Sequence, residues 1–406
     1  MNYKYIPGGI TAPKGFSASG LHCGIRKNKS KKDLALIYCK TGCSAFAVYT
    51  QNLVKGAPIT VTKQNLADNK ASAVICNSGN ANTCNADGIM IASKMCELVS
   101  AQLEILPSDV IIASTGVIGA PLPIEPIEKA IPKLVGSLAE NGSEDAAEAI
   151  MTTDTVKKEF SVEFLIGGKS CRIGIIAKGS GMIEPNMATL LGFVTTDVCI
   201  SDTLLEKSFK QAVSKSFNTV SIDGDTSTND MVTVMSSKLA QNKEITSEND
   251  DYSTFCEALN GIMYECAKLI AKDGEGATKL IICDVTNAKS DETAFKAAKS
   301  VINSSLVKTA IFGEDANWGR ILCAIGYCGC PIEIEKINVS ISSENGDIEV
   351  CKNGEGVDFN ESTAKYVLFC GEITININMN DGAGTARALG CDLTYDYVKI
   401  NGDYRT

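Results

Sequence analysis

Apolar residues recur with two different periods along this chain, and the alternation of those periods is the feature that most constrains the fold. Residues 205–217 and 255–270 repeat their apolar side chains every three or four positions, as helices with one buried face do. Residues 162–175 alternate apolar and polar side chains around the glycine pair 167–168, which is typical of a β-hairpin. A half-buried strand is predicted in the same way over residues 373–379. Together these patterns predict a mixed α/β protein.

Charge and hydropathy exclude two classes of partner. The chain has 38 Lys and Arg against 48 Asp and Glu, a net charge of −10 at pH 7, which disfavours binding to the phosphates of nucleic acid. Its longest apolar stretch, residues 110–124, is interrupted by glycines and prolines and is too short for a membrane span. The first nine residues lack the apolar core of a secretory signal. We therefore expect a cytoplasmic protein with no nucleic-acid or membrane partner.

The single histidine, His22, restricts the chemistry that this chain could perform. A Ser-His-Asp triad, a Cys-His pair and most zinc hydrolase sites all need a well-placed imidazole. The 17 cysteines contain no paired C-x2-C spacing, so no metal is expected. The apparent phosphate-binding sequence at 167–170 has Glu163 where the first glycine of a P-loop belongs, so no nucleotide cofactor is expected. An enzyme built from this chain would need a different base.

Three segments are unusually rich in glycine and small polar residues, namely 76–82, 114–119 and 177–191. The second follows a short apolar run and could direct backbone N–H groups at a developing oxyanion, although a tight turn would have the same composition. The third reads A-K-G-S-G-M-I-E-P-N-M-A-T-L-L. This third segment strongly resembles the self-cleavage site of the ornithine acetyltransferase family, also known as glutamate N-acetyltransferases.

The resemblance extends along the whole chain. Further matching segments, in chain order, are 114–119, 151–155, 221–230, 313–320 and 391–398. Because so many motifs match in the same order, the chain is identified as a member of this family.

Self-cleavage is the first property that the resemblance implies. The precursor is expected to cut the Ala188-Thr189 bond, leaving fragments 1–188 and 189–406. Thr189 then becomes an N-terminal nucleophile, and its freed α-amine, with a pKa of about 7.7 to 8.0, serves as the base. Such a mechanism suits a chain with one histidine.

The resemblance also implies a reaction within the cyclic pathway of arginine biosynthesis. N2-acetylornithine acetylates Thr189, ornithine leaves, and glutamate accepts the acetyl group to give N-acetylglutamate. No cofactor is required, and no residue decides whether acetyl-CoA is also a substrate. The family's oxyanion-hole residues correspond to Thr115 and Gly116. The family's substrate-binding positions correspond to Thr152 and Thr153, of which either could contact substrate, and to Lys178, Thr189, Glu275, Asn401 and Thr406.

The family's fold and assembly are expectations of the same kind. The resemblance implies a layered α/β/β/α domain over residues 1–285, which contains the cleavage site, and a second α/β domain over 286–406, which completes the active site. Two copies of each fragment are expected to form a heterotetramer. Two other functions stay open at this point: an N-terminal-nucleophile amidohydrolase or aminopeptidase that releases the acyl group to water, and a non-catalytic amino-acid-binding protein that would have no need for self-cleavage.

Overall fold

The computed structural model describes residues 2–184 and 190–403, which form two compact units. The described residues of the first unit lie within 2–179, 190–218 and 226–266. Those of the second unit lie within 180–184, 219–225 and 267–403. The boundary expected at residue 285 falls within a strand of the second unit, Leu280–Ala288.

The first unit contains one nine-stranded mixed sheet. Its strands are β1 (Tyr3–Tyr5), β2 (Phe16–Leu21), β3 (Leu34–Tyr49), β4 (Lys70–Asn80), β5 (Val110–Val117), β6 (Lys158–Ile166), β7 (Lys169–Lys178), β8 (Leu191–Thr196) and β9 (Met231–Ser236). Their order is β1-β6-β7-β8-β9-β3-β4-β5, and β2 pairs with β3. The helices are α1 (Ala57–Asn65), α2 (Gly88–Leu103), α3 (Ile124–Gly136), α4 (Ser143–Ile150) and α5 (Asp202–Lys215). A further helix, α6 (Asp250–Lys272), begins in the first unit and ends in the second.

The predicted hairpin is confirmed as β6 and β7, which pair from Lys158 and Ala177 to Ile166 and Lys169. Gly167 and Gly168 have φ angles of +54° and +76°. A two-residue turn with two positive φ angles matches the right-handed twist of its strands, and glycine adopts those angles without a steric penalty. The glycine pair therefore determines the register of this hairpin.

Both faces of the sheet in the first unit are buried, as β3 illustrates. Leu34 and Leu36 pack into a core with side chains of α2 and α3. Ala35 and Ile37, which point to the opposite face, pack into a core with side chains of α4. Because successive residues of a strand face opposite sides, helices on both sides require an almost continuously apolar strand.

The second unit contains a six-stranded sheet. Its strands are β10 (Leu280–Ala288), β11 (Asn338–Ser343), β12 (Gly346–Lys352), β13 (Glu355–Gly356), β14 (Glu372–Asn378) and β15 (Gly384–Cys391), in the order β13-β12-β11-β14-β10-β15. Its helices are α7 (Asp291–Asn303), α8 (Ser305–Phe312), α9 (Trp318–Gly326), α10 (Glu361–Leu368) and α11 (Tyr395–Gly402). Ile373, Ile375 and Ile377 of β14 are buried in the core of this unit, whereas the alternate residues are half-buried, which confirms the predicted strand.

The amphipathic helices predicted over 205–217 and 255–270 are confirmed as α5 and α6, although Phe217 lies in a short 3-10 turn after α5. Among the described helices, none is long and apolar enough to cross a membrane. With two sheets and helices packed on them, the mixed α/β class is confirmed.

Candidate active site

The predicted oxyanion-hole residues lie at the end of β5, where the pairing of β4 with β5 becomes irregular. Gly116 has a φ angle of +132°, in the region that favours glycine. A Cβ atom at this position would lie 2.3 Å from the carbonyl carbon of Gly79. Glycine is therefore required at position 116 for both conformation and space, whatever its part in catalysis.

Two predicted site residues, Thr115 and Lys178, are in direct contact. The ammonium of Lys178, the last residue of β7, donates a hydrogen bond of 3.1 Å to the Thr115 hydroxyl oxygen. Each residue is only 8% exposed. In this arrangement the Thr115 hydroxyl accepts from a cation and keeps its own hydrogen available for another acceptor.

Asp154 connects the predicted threonine pair to Lys178, and we did not predict it from the sequence. It accepts hydrogen bonds from the Lys158 ammonium at 2.6 Å, the Gly179 amide at 2.7 Å and the Thr152 amide at 2.9 Å. Burial would raise the pKa of its carboxyl, but the charges of Lys158 and Lys178 and these hydrogen bonds outweigh burial and lower the pKa to about 2. Asp154 is thus an anion at neutral pH.

The threonine pair itself is half-buried beside this carboxylate. The Thr152 hydroxyl lies 3.4 Å from the Asp154 carboxylate, so its amide and hydroxyl both face Asp154. The one available signal for Asp154 was its place two residues after Thr152 within the matched motif 151–155.

Asp230 is a second buried carboxyl that sequence reasoning missed, because segment 221–230 is also typical of a polar turn. It is 4% exposed, and its Oδ2 atom has no hydrogen-bond partner within the described part of the chain. Burial raises the pKa of this carboxyl well above its usual range, against the opposing effects of a Ser227 hydrogen bond and the Lys178 charge. The next residue, Met231, donates its amide to the Leu190 carbonyl at 2.9 Å. Asp230 therefore lies beside the start of β8.

A separate group of predicted residues comes together within the second unit. The Asn401 side-chain amide, on α11, donates a 2.7 Å hydrogen bond to the Glu275 carboxylate. The Glu275 amide donates to the Ser180 carbonyl at 2.7 Å. A Cβ atom at Gly181 would lie 2.3 Å from the Glu275 carboxyl carbon, so the glycine lets this side chain pack against the motif. Three segments that are distant in sequence thus meet at Glu275.

Three predicted positions, Ala188, Thr189 and Thr406, lie outside the described residues. In the described ranges 2–184 and 190–403, no group of three or more His, Cys, Asp and Glu side chains is arranged to hold a metal ion.

The comparison with known proteins decides the family. The sequence model of the ArgJ family matches residues 17–406. This chain belongs to the ArgJ family. The family assignment made from the motifs is therefore confirmed.

Individual ArgJ proteins match over nearly the whole chain. The arginine biosynthesis bifunctional protein ArgJ of Caldanaerobacter subterraneus subsp. tengcongensis is 49% identical, over 99% of this chain and 100% of its own. The protein of the same name from Bacillus subtilis is 47% identical, over 99% of this chain and 97% of its own. The crystal structure of ArgJ from Bacillus halodurans has a chain that is 47% identical and superposes with a TM-score of 0.51. That solved chain covers 53% of this chain and is matched over 99% of its own length.

Proposed function

We propose that this chain is a bifunctional enzyme of arginine biosynthesis. It transfers the acetyl group of N2-acetylornithine to glutamate, giving ornithine and N-acetylglutamate, and it also makes N-acetylglutamate from acetyl-CoA and glutamate. The observation that carries this proposal is the identity of 45% to 49% with bifunctional ArgJ proteins over almost the whole chain. The sequence left acetyl-CoA use open, and the bifunctional character of these relatives favours it.

The active enzyme is produced by self-cleavage at the Ala188-Thr189 bond. The Thr189 hydroxyl attacks the Ala188 carbonyl carbon, the acyl group moves from nitrogen to oxygen, and water hydrolyses the resulting ester. The products are the Ala188 carboxylate and the Thr189 α-amine. The Bacillus halodurans match supports this step, because that solved chain has about the length of one of the two fragments.

Acetyl transfer uses the same hydroxyl in two steps. The Thr189 oxygen attacks the acetyl carbonyl while the α-amine takes its proton, and ornithine leaves with the electrons of the broken C–N bond and a proton. The glutamate amine then attacks the acetyl-threonine ester and releases the Thr189 hydroxyl. The donor that supplies the acetyl group therefore changes only the first step.

Each step passes through a tetrahedral intermediate with a negatively charged oxygen. The Thr115 hydroxyl and the Gly116 amide are proposed to donate hydrogen bonds to this oxygen. The contact between Lys178 and Thr115 supports this role, because a hydroxyl that accepts from an ammonium is polarised and becomes a better donor.

Substrate recognition divides between the two groups of residues. Glu275, oriented by Asn401, is proposed to pair with an ammonium group of ornithine or glutamate. Lys178 is proposed to attract a substrate carboxylate, and Thr152 or Thr153 supplies a hydroxyl. We assign Thr406 to substrate binding from the family pattern alone.

The two fragments are proposed to remain together as a heterotetramer with two copies of each. Strands β8 and β9 belong to fragment 189–406, yet they pair with β7 on one side and β3 on the other, both from fragment 1–188. Cleavage would therefore leave the hydrogen bonds of the sheet intact. We propose a cytoplasmic location, which is supported by the 17 free cysteines and the metabolic role.

Intact mass spectrometry before and after incubation with N2-acetylornithine, without an acceptor, tests this function. We expect two fragments that meet at Ala188-Thr189 and one acetyl group on the second fragment. Adding glutamate should remove that acetyl group and yield N-acetylglutamate in equal amount to ornithine, and acetyl-CoA should replace the first donor. The Thr189→Ala chain should stay whole.

Two results would overturn the proposal. Free acetate that forms whether or not glutamate is present would indicate an amidohydrolase. A wild-type chain that stays whole and unacetylated while binding amino acids would indicate a non-catalytic binding protein.

A further inference from the structure

The five residues Ser180–Glu184, called the 180–184 segment below, belong to the second unit, although the nearest described residues on both sides of them in sequence belong to the first. They immediately follow β7 and Gly179 and precede the proposed cleavage site by four residues. Hydrogen bonds from residues distant in sequence tie this segment into the second unit, beginning with the Glu275 amide that donates to the Ser180 carbonyl at 2.7 Å.

Asp223 holds the middle of the 180–184 segment. One carboxylate oxygen accepts from the Met182 amide at 2.6 Å, and the other accepts from the Ile183 amide at 2.8 Å. Met182 has a φ angle of +55°, which an L-residue other than glycine rarely adopts. Two successive amides that converge on one charged acceptor hold the backbone in this unusual conformation, because charge-assisted hydrogen bonds are the strong ones. The neighbouring Ile222 amide adds a 2.8 Å bond to the Ile183 carbonyl.

Lys299 holds the end of the same segment. Its ammonium, on α7, donates to the Glu184 carboxylate at 2.9 Å and to the Val220 carbonyl at 2.8 Å. The residue is 8% exposed, so the charge is largely removed from water and depends on these partners. Removing one partner of such a buried pair is far more disruptive than losing an exposed ion pair. Lys299 and Asp223 together therefore anchor both the backbone and the last side chain of the segment.

The chain on the other side of the cleavage site is also held in place. Leu190 is buried, its carbonyl accepts from the Met231 amide, and Leu191 begins β8. A reaction between two adjacent residues needs a specific attack angle, and holding the chain close to the reacting residues reduces the conformations that they must search. Displacements of about 1 Å can reduce the rate of such a step by about 100-fold.

We propose that Asp223 and Lys299 are positioning residues for self-cleavage, which orient the Ala188-Thr189 bond by holding the 180–184 segment. This inference rests on the proposed function, because it assumes that the chain cuts itself. Neither residue takes part in bond making or proton transfer. Both act through the backbone and the Glu184 side chain, so their loss should slow cleavage.

The test follows cleavage after cell-free synthesis of the full chain, when the precursor can still be observed. We expect Lys299→Met and Asp223→Asn to slow the first-order conversion of precursor into fragments by about 10- to 100-fold. Lys299→Arg should restore part of the rate because it keeps the charge.

Lys279→Met is a matched control within the same unit. Lys279 is equally buried and likewise bonds one carboxylate, Glu314 at 3.4 Å, and one backbone carbonyl, Leu368 at 2.5 Å. Both of these partners lie outside the 180–184 segment, and replacing Lys279 should leave the cleavage rate within about twofold of wild type. Folding is assessed separately by introducing each substitution into the uncleavable Thr189→Ala chain and measuring thermal unfolding.

Three outcomes would overturn the inference. Cleavage of Lys299→Met and Asp223→Asn at the wild-type rate would show that Asp223 and Lys299 have no positioning role. Equal slowing by Lys279→Met would assign the effect to general destabilisation. A wild-type chain that never cleaves would refute the proposed function, and the positioning role with it, whereas the first two results leave that function intact.

Discussion

Lys178 and Thr115, 63 residues apart in sequence, meet through a 3.1 Å hydrogen bond in which the lysine ammonium donates and the threonine hydroxyl accepts. The bond orients the hydroxyl and places a buried positive charge beside a proposed oxyanion hole. An uncharged tetrahedral intermediate would gain little from that charge, whereas the negatively charged oxygen of an oxyanion would be stabilised by it.

Thr115→Val removes the proposed hydroxyl donor while keeping the shape of the side chain. We expect kcat for transfer from N2-acetylornithine to fall by about 10² to 10³, with little change in KM, because the lost interaction exists only in the transition state. Thr195→Val is the control, since the Thr195 hydroxyl is also buried but donates to the Ile10 carbonyl at 2.6 Å. A Thr115→Val enzyme with wild-type kcat would remove Thr115 from the oxyanion hole.

Gly116→Ala should destabilise the protein because a Cβ atom would overlap the Gly79 backbone and the φ angle would be strained. We expect the free energy of unfolding to fall by about 3 kcal/mol. Gly119→Ala, at a φ angle of +76° with no atom within 4 Å of the added carbon, should cost only about 1 kcal/mol. Urea unfolding in the uncleavable Thr189→Ala background measures the free energy of unfolding of both variants. Equal losses of stability in Gly116→Ala and Gly119→Ala would contradict the crowding at Gly116.

Asp154→Asn should cost more stability at neutral pH than at acidic pH. The folded-state pKa of about 2 lies below the unfolded value, so the contribution of this carboxylate is complete above pH 4 to 5 and declines as the pH falls toward 2. That contribution is about 2 to 3 kcal/mol, and the substitution additionally deprives the fully buried Lys158 of its anionic partner. The free energies of unfolding of the wild type and of Asp154→Asn, measured between pH 3 and pH 7, should therefore differ less at pH 3 than at pH 7. A difference in free energy of unfolding that stays constant with pH would contradict the lowered pKa of Asp154.

Asp230→Asn should have the opposite pH dependence. The pKa of the Asp230 carboxyl is raised in the folded protein, so the folded state holds its proton more tightly than the unfolded chain does. The free energy of unfolding of the wild type therefore falls as the pH rises from the pKa that Asp230 has in the unfolded chain toward its raised pKa in the folded protein. An asparagine amide at this position does not titrate. Both proteins are compared in the Thr189→Ala background. Between pH 5 and pH 8, the melting temperature of the Asp230→Asn variant should rise relative to that of the chain that keeps Asp230. Parallel pH profiles would show that Asp230 is ionised in the fold.

The cleaved fragments should separate only under denaturing conditions. Pairing of β7 with β8 and of β3 with β9 places strands of fragment 189–406 between strands of fragment 1–188. Size-exclusion chromatography of the cleaved enzyme should show one peak that contains both fragments, and concentrated urea should resolve them. Elution of the fragments at different volumes in native buffer would contradict this sheet order.

Local sequence patterns determined much of the secondary structure. The spacing of apolar residues along α5 and α6, the glycine pair between β6 and β7, and the alternation along β14 depend on interactions between near neighbours, so a short window contains the information. Motif order likewise identified the family, and the single histidine excluded imidazole-based triads.

Tertiary structure alone decided which side chains meet and how they are charged. Asp154 and Asp230 are both buried aspartates, yet the pKa of the first is lowered by two lysines and that of the second is raised by burial. The 180–184 segment belongs to the second unit because its hydrogen bonds go to Asp223, Glu275 and Lys299, which are distant in sequence. Burial and long-range hydrogen bonding depend on the folded position of the whole chain, so no local window of sequence contains them.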